Sequence, residues 1–150
     1  LSFISAVYPN FFPEKNIIPS FQQYIIDSAE FGINLLNTIS KFDVGQSVVV
    51  SFKLVYAIEG QEGTDRMIDR AGTLSNKNKI ITNPGPVLIK IPKIDQNINL
   101  DPPVVGFETV RKCIENNFSS LVVSSNGTII FELKKIMNLI NKKNFVIYVV

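Results

Sequence analysis

Histidine and tryptophan are absent from this 150-residue chain, and it has one cysteine, Cys113. Without histidine there is no Ser-His-Asp triad, no Cys-His pair and no His-ligated zinc. One cysteine excludes an internal disulfide and a Cys-rich metal site; its place in a helix-like run predicts burial on the inner side of that helix. This usage fits a reducing compartment. No stretch holds the ~18 uninterrupted apolar residues of a spanning helix, and no charged-then-apolar signal segment opens the chain. Net charge is only +2, and no basic stripe is interleaved with aromatics, so nothing argues for nucleic acid as a partner. Acid–base, metal and phosphate chemistry is left to carboxylates and lysines.

What is present is a large apolar fraction, 45%, enough for one domain with a sizeable core. Residues 1–7 read as a short strand, and Pro9, Pro13 and Pro19 make residues 8–19 irregular. Ser20 is a cap candidate for a helix over 21–40, where Tyr24, Ile25, Phe31, Leu35, Leu36 and Ile39 recur at helical spacing; Gly32 leaves open one bent helix or two. Residues 42–46 form a turn, and 47–58 read as one strand or a tight strand pair. A helix from Arg66 to Ala71 stops at Gly72, followed by a polar loop over 75–79. A turn at 83–86 precedes a strand at 87–91, then a loop over 92–103. Further expectations are Val104 and Val105 leading through Gly106 into a helix at 107–117, strands at 121–124 and 128–131 joined as a hairpin through Ser125-Asn126-Gly127, a helix at 132–141 and an interior strand at 145–150. Strands and helices alternate, so the fold class is α/β, a mixed β-sheet flanked by helices.

The stretch of chemical interest is VYAIEGQEGTDRMIDRAGTL, residues 55–74. A strand, a glycine turn and a helix start lie in succession, and the first N–H groups of such a helix point at the turn. Gly60 and Gly63 permit close backbone approach. Three carboxylates, Glu59, Glu62 and Asp65, crowd the turn, which suits a phosphate bridged by a divalent cation. The plainer reading is an ordinary helix start, with Thr64 as cap and Asp65 favoured by the helix dipole. A second loop, after the strand at 87–91, carries Lys90, Lys93, Asp95, Asn97 and Asp101. If the two strands run the same way, both loops reach one sheet edge.

At these residues the chain resembles a known family. EGQEGTDRMIDRAG is similar to the E-G-x-E-G-T-D-x-M-[IL]-x-R-[AC]-G signature of the LpxI family, the UDP-2,3-diacylglucosamine pyrophosphatases of lipid A biosynthesis. FDVGQSVVV, GPVLIKIPK and LDPPVVGFETV resemble three further stretches of that family in the same order. The chain departs from the pattern at Asp95-Gln96-Asn97, where the family often has G-Q-D. The resemblance implies a C-terminal domain of a two-domain protein: residues 1–20 would be the end of an absent N-terminal domain and its connector, and 21–150 the catalytic domain. It implies hydrolysis of the substrate pyrophosphate to UMP and 2,3-diacylglucosamine 1-phosphate, with Mg²⁺ as cofactor. Carried over by position, Asp101 and Asp65 are the catalytic expectations. Asp101, Asp65 and Glu62 are the metal expectations, and Gly60, Gly63, Thr64, Arg70, Lys90, Lys93 and Gln46 would meet substrate, with Arg70 alternatively bracing the turn and Gln46 shaping one. The implied partners are UDP-2,3-diacylglucosamine, the N-terminal domain and, as an open alternative, a second copy. The implied location is cytoplasmic, peripheral at the inner face of the membrane. The helix at 21–39 and Phe11 and Phe12 are candidates for an acyl-chain groove, against ordinary core packing.

Overall fold

A computed structural model describes residues 2–3, 10–12, 17–77, 84–94 and 102–150. Its elements in chain order are β1 (Ser2–Phe3), β2 (Asn10–Phe12), α1 (Pro19–Ile39), a 3₁₀ turn (Ser40–Phe42), β3 (Ser47–Ser51), β4 (Leu54–Ile58), α2 (Thr64–Lys77), β5 (Val87–Lys90), β6 (Val104–Val105), α3 (Phe107–Glu115), β7 (Ser120–Val123), β8 (Ile129–Ile130), α4 (Leu133–Ile140) and β9 (Val146–Val149). The main sheet has the order β2-β9-β7-β5-β3-β4, and a small second sheet has β1-β8-β6. The α/β expectation of a mixed sheet flanked by helices holds.

Alternation along the strands assigns the two faces of the main sheet. Val48, Val50, Val87, Ile89, Val122, Val146 and Tyr148 pack with Tyr24, Ile25, Ala29 and Leu36 of α1. The intervening Val49, Leu88, Leu121, Val123, Ile147 and Val149 pack with Met67, Ile68 and Ala71 of α2, Val110 and Cys113 of α3, and Ile136 and Ile140 of α4. The period of two thus produces a three-layer sandwich with one helix on one face and three on the other.

The helix α1 is continuous through Gly32. A Cβ there would lie 2.7 Å from Ile89 Cδ1, so the glycine lets the helix lie close on the sheet, a gain that outweighs its low helix propensity. The helix starts at Pro19 rather than Phe21. Ile18 is its cap residue and makes no side-chain cap bond, while proline is pre-set for the first helical turn. The Tyr24 hydroxyl donates to Gly85 O (2.9 Å) and lies within hydrogen-bond distance of Ser51 Oγ (3.2 Å), pinning α1 to the sheet.

Residues 47–58 resolve as the strand pair: β3 and β4 join through Phe52 and Lys53, with Phe52 at φ +52°. Their register shifts between Val49 and Val50, because Tyr56 of β4 has no opposite number. This is a β-bulge.

Four expectations are corrected. First, α2 does not stop at Gly72 but runs to Lys77, so Ser75, Asn76 and Lys77, expected in a loop, are helical. A Cβ on Gly72 would sit 1.9 Å from Asn116 Oδ1: the residue is glycine because α3 passes there, not because the helix ends. Second, the strands around Ser125-Asn126-Gly127 do not form a hairpin. β7 pairs in parallel with β5 and β9, whereas β8 pairs with β1 and β6. Third, Asn10–Phe12, expected to be irregular, forms an antiparallel strand on β9, which makes β9 interior as expected. Fourth, Val104–Val105 is a short strand parallel to β8 rather than a lead into α3.

Candidate functional site

The pairings fix strand direction. β3 is antiparallel to both β4 and β5, so β4 and β5 run the same way with β3 between them. β7 and β9 follow β5 in parallel. The turn after β4, the segment after β5 and the start of β3 therefore meet at one edge of the sheet, as the sequence predicts for the first two.

At that edge a buried polar network links three elements. Glu59 is 8% exposed and Lys90 7%. Glu59 Oε2 accepts from Ser47 Oγ (2.8 Å) and from Gln46 N–H (3.1 Å), and Glu59 Oε1 accepts from Thr64 Oγ1 (2.6 Å). Lys90 Nζ donates to the same Thr64 oxygen at 2.8 Å. Ser47 and Lys90 are opposite one another in the β3–β5 register. The main chain reinforces the cluster: Gly45 N–H donates to Glu59 O and Glu59 N–H to Ser47 O. A Cβ on Gly45 would lie 2.4 Å from Glu59 O, so only glycine fits.

Thr64 is thus the first residue of α2, not its cap. The Met67 N–H is taken by Gly63 O, and Gly63 makes the turn at φ +80°, a conformation glycine adopts without penalty. The Thr64 hydroxyl is instead spent on Glu59 and Lys90.

Beside the network is a cavity of about 420 Å³, lined by Asp43, Gly45, Gln46, Glu59, Gly60, Gln61 and Lys93 among others. Lys93 Nζ lies 2.5 Å from Asp43 Oδ1 across its rim, and this bond with the lysine charge holds the Asp43 carboxyl below the usual range. Gln46, which lines the cavity, has its Oε1 buried with no hydrogen-bond partner among the described residues.

The remaining expected residues divide. Glu62 pairs with Arg70, whose guanidinium also donates to Ile58 O (3.1 Å). That pairing lowers the Glu62 carboxyl from its ordinary value, and the two contacts make Arg70 a brace across the turn. Asp65, in the first turn of α2, accepts from Thr109 Oγ1 of α3 at 3.1 Å. Gly60 lines the cavity. Asp101, together with Asp95, Gln96 and Asn97, lies outside the described residues. The structure therefore brings together Gln46, Gly60, Thr64, Lys90 and Lys93, and sets Glu62 and Arg70 against each other.

Sequence reasoning counted Glu59 only as one of three crowded carboxylates. Its signal was available: a carboxylate directly at a strand end, followed by glycine, with a hydroxyl five residues on.

No group of three Asp, Glu, Cys or His side chains that could hold a metal occurs among the described residues. Glu59 has hydrogen bonds on both oxygens, whereas Asp65 has a described partner on Oδ1 alone. This donor set fits a magnesium ion held by one or two carboxylates and by substrate oxygens, rather than one caged by protein.

A larger cavity, about 700 Å³, lies by the outer side of α1 and is lined by Asp27, Glu30, Phe31, Asn34, Phe52 and Lys53. It sits at the turn end of the β3–β4 hairpin, opposite the Glu59 edge. The inward side of α1 is core packing. The side chains of Phe11 and Phe12 lie outside those described. Among the described residues no helix is long and apolar enough to cross a membrane.

A family model described as the LpxI C-terminal domain matches residues 19–148. The chain is also similar to the UDP-2,3-diacylglucosamine pyrophosphatase LpxI of Caulobacter vibrioides, 28% identical over 107 residues, which cover 70% of this chain and 38% of that protein. The match thus spans well under half the length of that curated relative.

Proposed function

This chain belongs to the LpxI C-terminal domain family, and from that premise we propose that it serves hydrolysis of the pyrophosphate of UDP-2,3-diacylglucosamine to UMP and 2,3-diacylglucosamine 1-phosphate. The observation that carries the reading is Lys90, a buried lysine held by Thr64 at the start of α2. Burying an ammonium is costly, and placing it where unpaired helix N–H groups gather builds a seat for phosphate oxygens.

In this reading Lys90, Lys93 and the first-turn N–H groups of α2 hold the pyrophosphate charge, which otherwise repels the attacking oxygen. Asp101 orients the water; its oxygen bonds to one phosphorus as the bridging oxygen leaves with the other, and a water proton is released. Arg70 keeps the glycine turn in shape. A magnesium ion, where bound, would be held by Asp65 and Asp101 with Glu62 nearby, and would supply further neutralisation of phosphate charge. The N-terminal domain completes the site in the whole protein, and the acyl chains place the enzyme at a membrane surface. A second reading, a module that binds the UDP-lipid without turning it over, is favoured by Asn97, an amide where the resemblance leads one to expect a carboxylate.

The test is release of UMP from UDP-2,3-diacylglucosamine with Mg²⁺, by the chain alone and with a supplied N-terminal domain, each beside Asp101→Ala. The expected outcome is release that falls at least ~100-fold with Asp101→Ala and stops with EDTA. Release unchanged by the substitution moves the role of Asp101 to Asp65 or Glu62. Binding without release in either setting selects the module.

A further inference from the structure

We infer that Glu59 is a positioning residue for Lys90, acting through the Thr64 hydroxyl; this rests on the pyrophosphate reading above. The argument is one of hydrogen-bond polarity. A threonine hydroxyl has one hydrogen and two lone pairs. At 2.6 Å from Glu59 Oε1, on a carboxyl whose other oxygen already accepts two bonds, Thr64 gives that hydrogen to Glu59. The contact with Lys90 Nζ at 2.8 Å must then use a Thr64 lone pair, with the ammonium donating. An ammonium can only donate, so Thr64 accepts from Lys90 and its one hydrogen is left for Glu59, which holds the hydroxyl in place.

The carboxylate is itself fixed. Its other oxygen accepts from Ser47 Oγ and Gln46 N–H, and its main chain is bonded to Gly45 and Ser47. Both oxygens are used, so Glu59 is a rigid acceptor and not a free base. The Glu59 carboxyl and the Lys90 amino group are both buried and are joined through one oxygen atom. A direct Glu–Lys contact would draw the ammonium toward the carboxylate. The intervening hydroxyl keeps it at the α2 start.

Glu59→Gln keeps the shape but ends this order. An amide NH₂ cannot accept, so either Thr64 or the Ser47 and Gln46 donors face a donor. If Thr64 is the one displaced, its hydrogen turns toward Lys90. Thr64→Val keeps the volume and removes the hydroxyl. Both variants should displace Lys90 by the same route.

The experiment measures kcat and KM for UMP release, with UDP affinity by calorimetry and melting temperature, for wild type, Glu59→Gln, Thr64→Val, Thr64→Ser and the Glu59→Gln/Thr64→Val pair. Each of the first two should lower kcat roughly 30- to 100-fold, the scale expected for a displaced catalytic contact, with a smaller change in KM. The pair should lose no more than the worse single variant, because both act through one relay. Thr64→Ser should restore kcat to within about fivefold of wild type. Losses that multiply in the pair, or an unaltered kcat in folded Glu59→Gln, overturn the relay. If Glu59→Gln does not fold, Thr64→Val against Thr64→Ser decides alone. If wild type releases no UMP, the reaction reading fails separately and UDP affinity becomes the readout. Weaker binding shared by both single variants, restored in Thr64→Ser, then upholds the relay, and equal affinity in all proteins overturns it.

Discussion

Cys113 shows what position alone does to a reactive group. It is fully buried between α3 and the sheet, and burial, with the nearby Asp65 charge adding to it, pushes its thiol far above the ordinary range. The native thiol therefore stays neutral and unreactive. Because the folded value is raised, its contribution to stability is complete below the unfolded value, ~8.5, and is lost as pH rises above it. A disulfide reagent at pH 8 is expected to titrate no thiol in the native protein and one in urea; a fast native reaction would contradict this placement. Burial of Cys113 was legible from the helical spacing around it. Glu59 was less so, since a carboxylate in a glycine turn reads as solvated until the pairing of β3 with β5 shows Ser47 and Lys90 arriving beside it.

Among the elements, α2 sets local preference against packing. Alanine at Gly72 would gain roughly 1 kcal/mol of helix propensity. It would also drive a methyl into Asn116, an overpacking cost of about 1–3 kcal/mol. Gly72→Ala is therefore expected to lower the denaturation midpoint, and Gly72→Ala with Asn116→Ala to recover part of the loss; a Gly72→Ala protein more stable than wild type would show that α2 and α3 can separate freely. The long amphipathic α1 and the apolar β5 and β9 were readable from periodicity, because their own side chains decide their partners. The hairpin expected at Ser125-Asn126-Gly127 was not, because a turn signal is local. The main sheet supplies β7 with neighbours on both sides, and β8 finds its own in the small sheet.

For the whole molecule, the order of the main sheet leaves two rims, β4 and β2. Arg70 occupies Ile58 O at the end of β4, and β2 covers β9, whose residues are all buried. Removal of residues 1–12 would expose β9 as an apolar edge, the kind that pairs with other chains. The shortened chain is expected to melt at a lower temperature and to elute from a sizing column as larger species; a monomer of unchanged melting temperature would show that β2 is dispensable. The meeting of the post-β4 and post-β5 segments at one edge was foreseeable once both strands were assumed to run together, whereas the place of β3 between them was not, since nothing in its composition names its second neighbour. The extra residue in β4 has a consequence of parity. On the turn side of the bulge Val55 stands opposite Val50, and beyond it Ala57 stands opposite Val49, so the inside-outside count restarts at Tyr56. Counted from Val55 without that restart, Glu59 would emerge toward α1, on the far side of the sheet from Thr64. Deletion of Tyr56 would therefore change size and not frame: Val55, Ala57, Ile58 and Glu59 would alternate plainly in the register they already hold, and the acid would keep its side of the molecule while the bulge is lost.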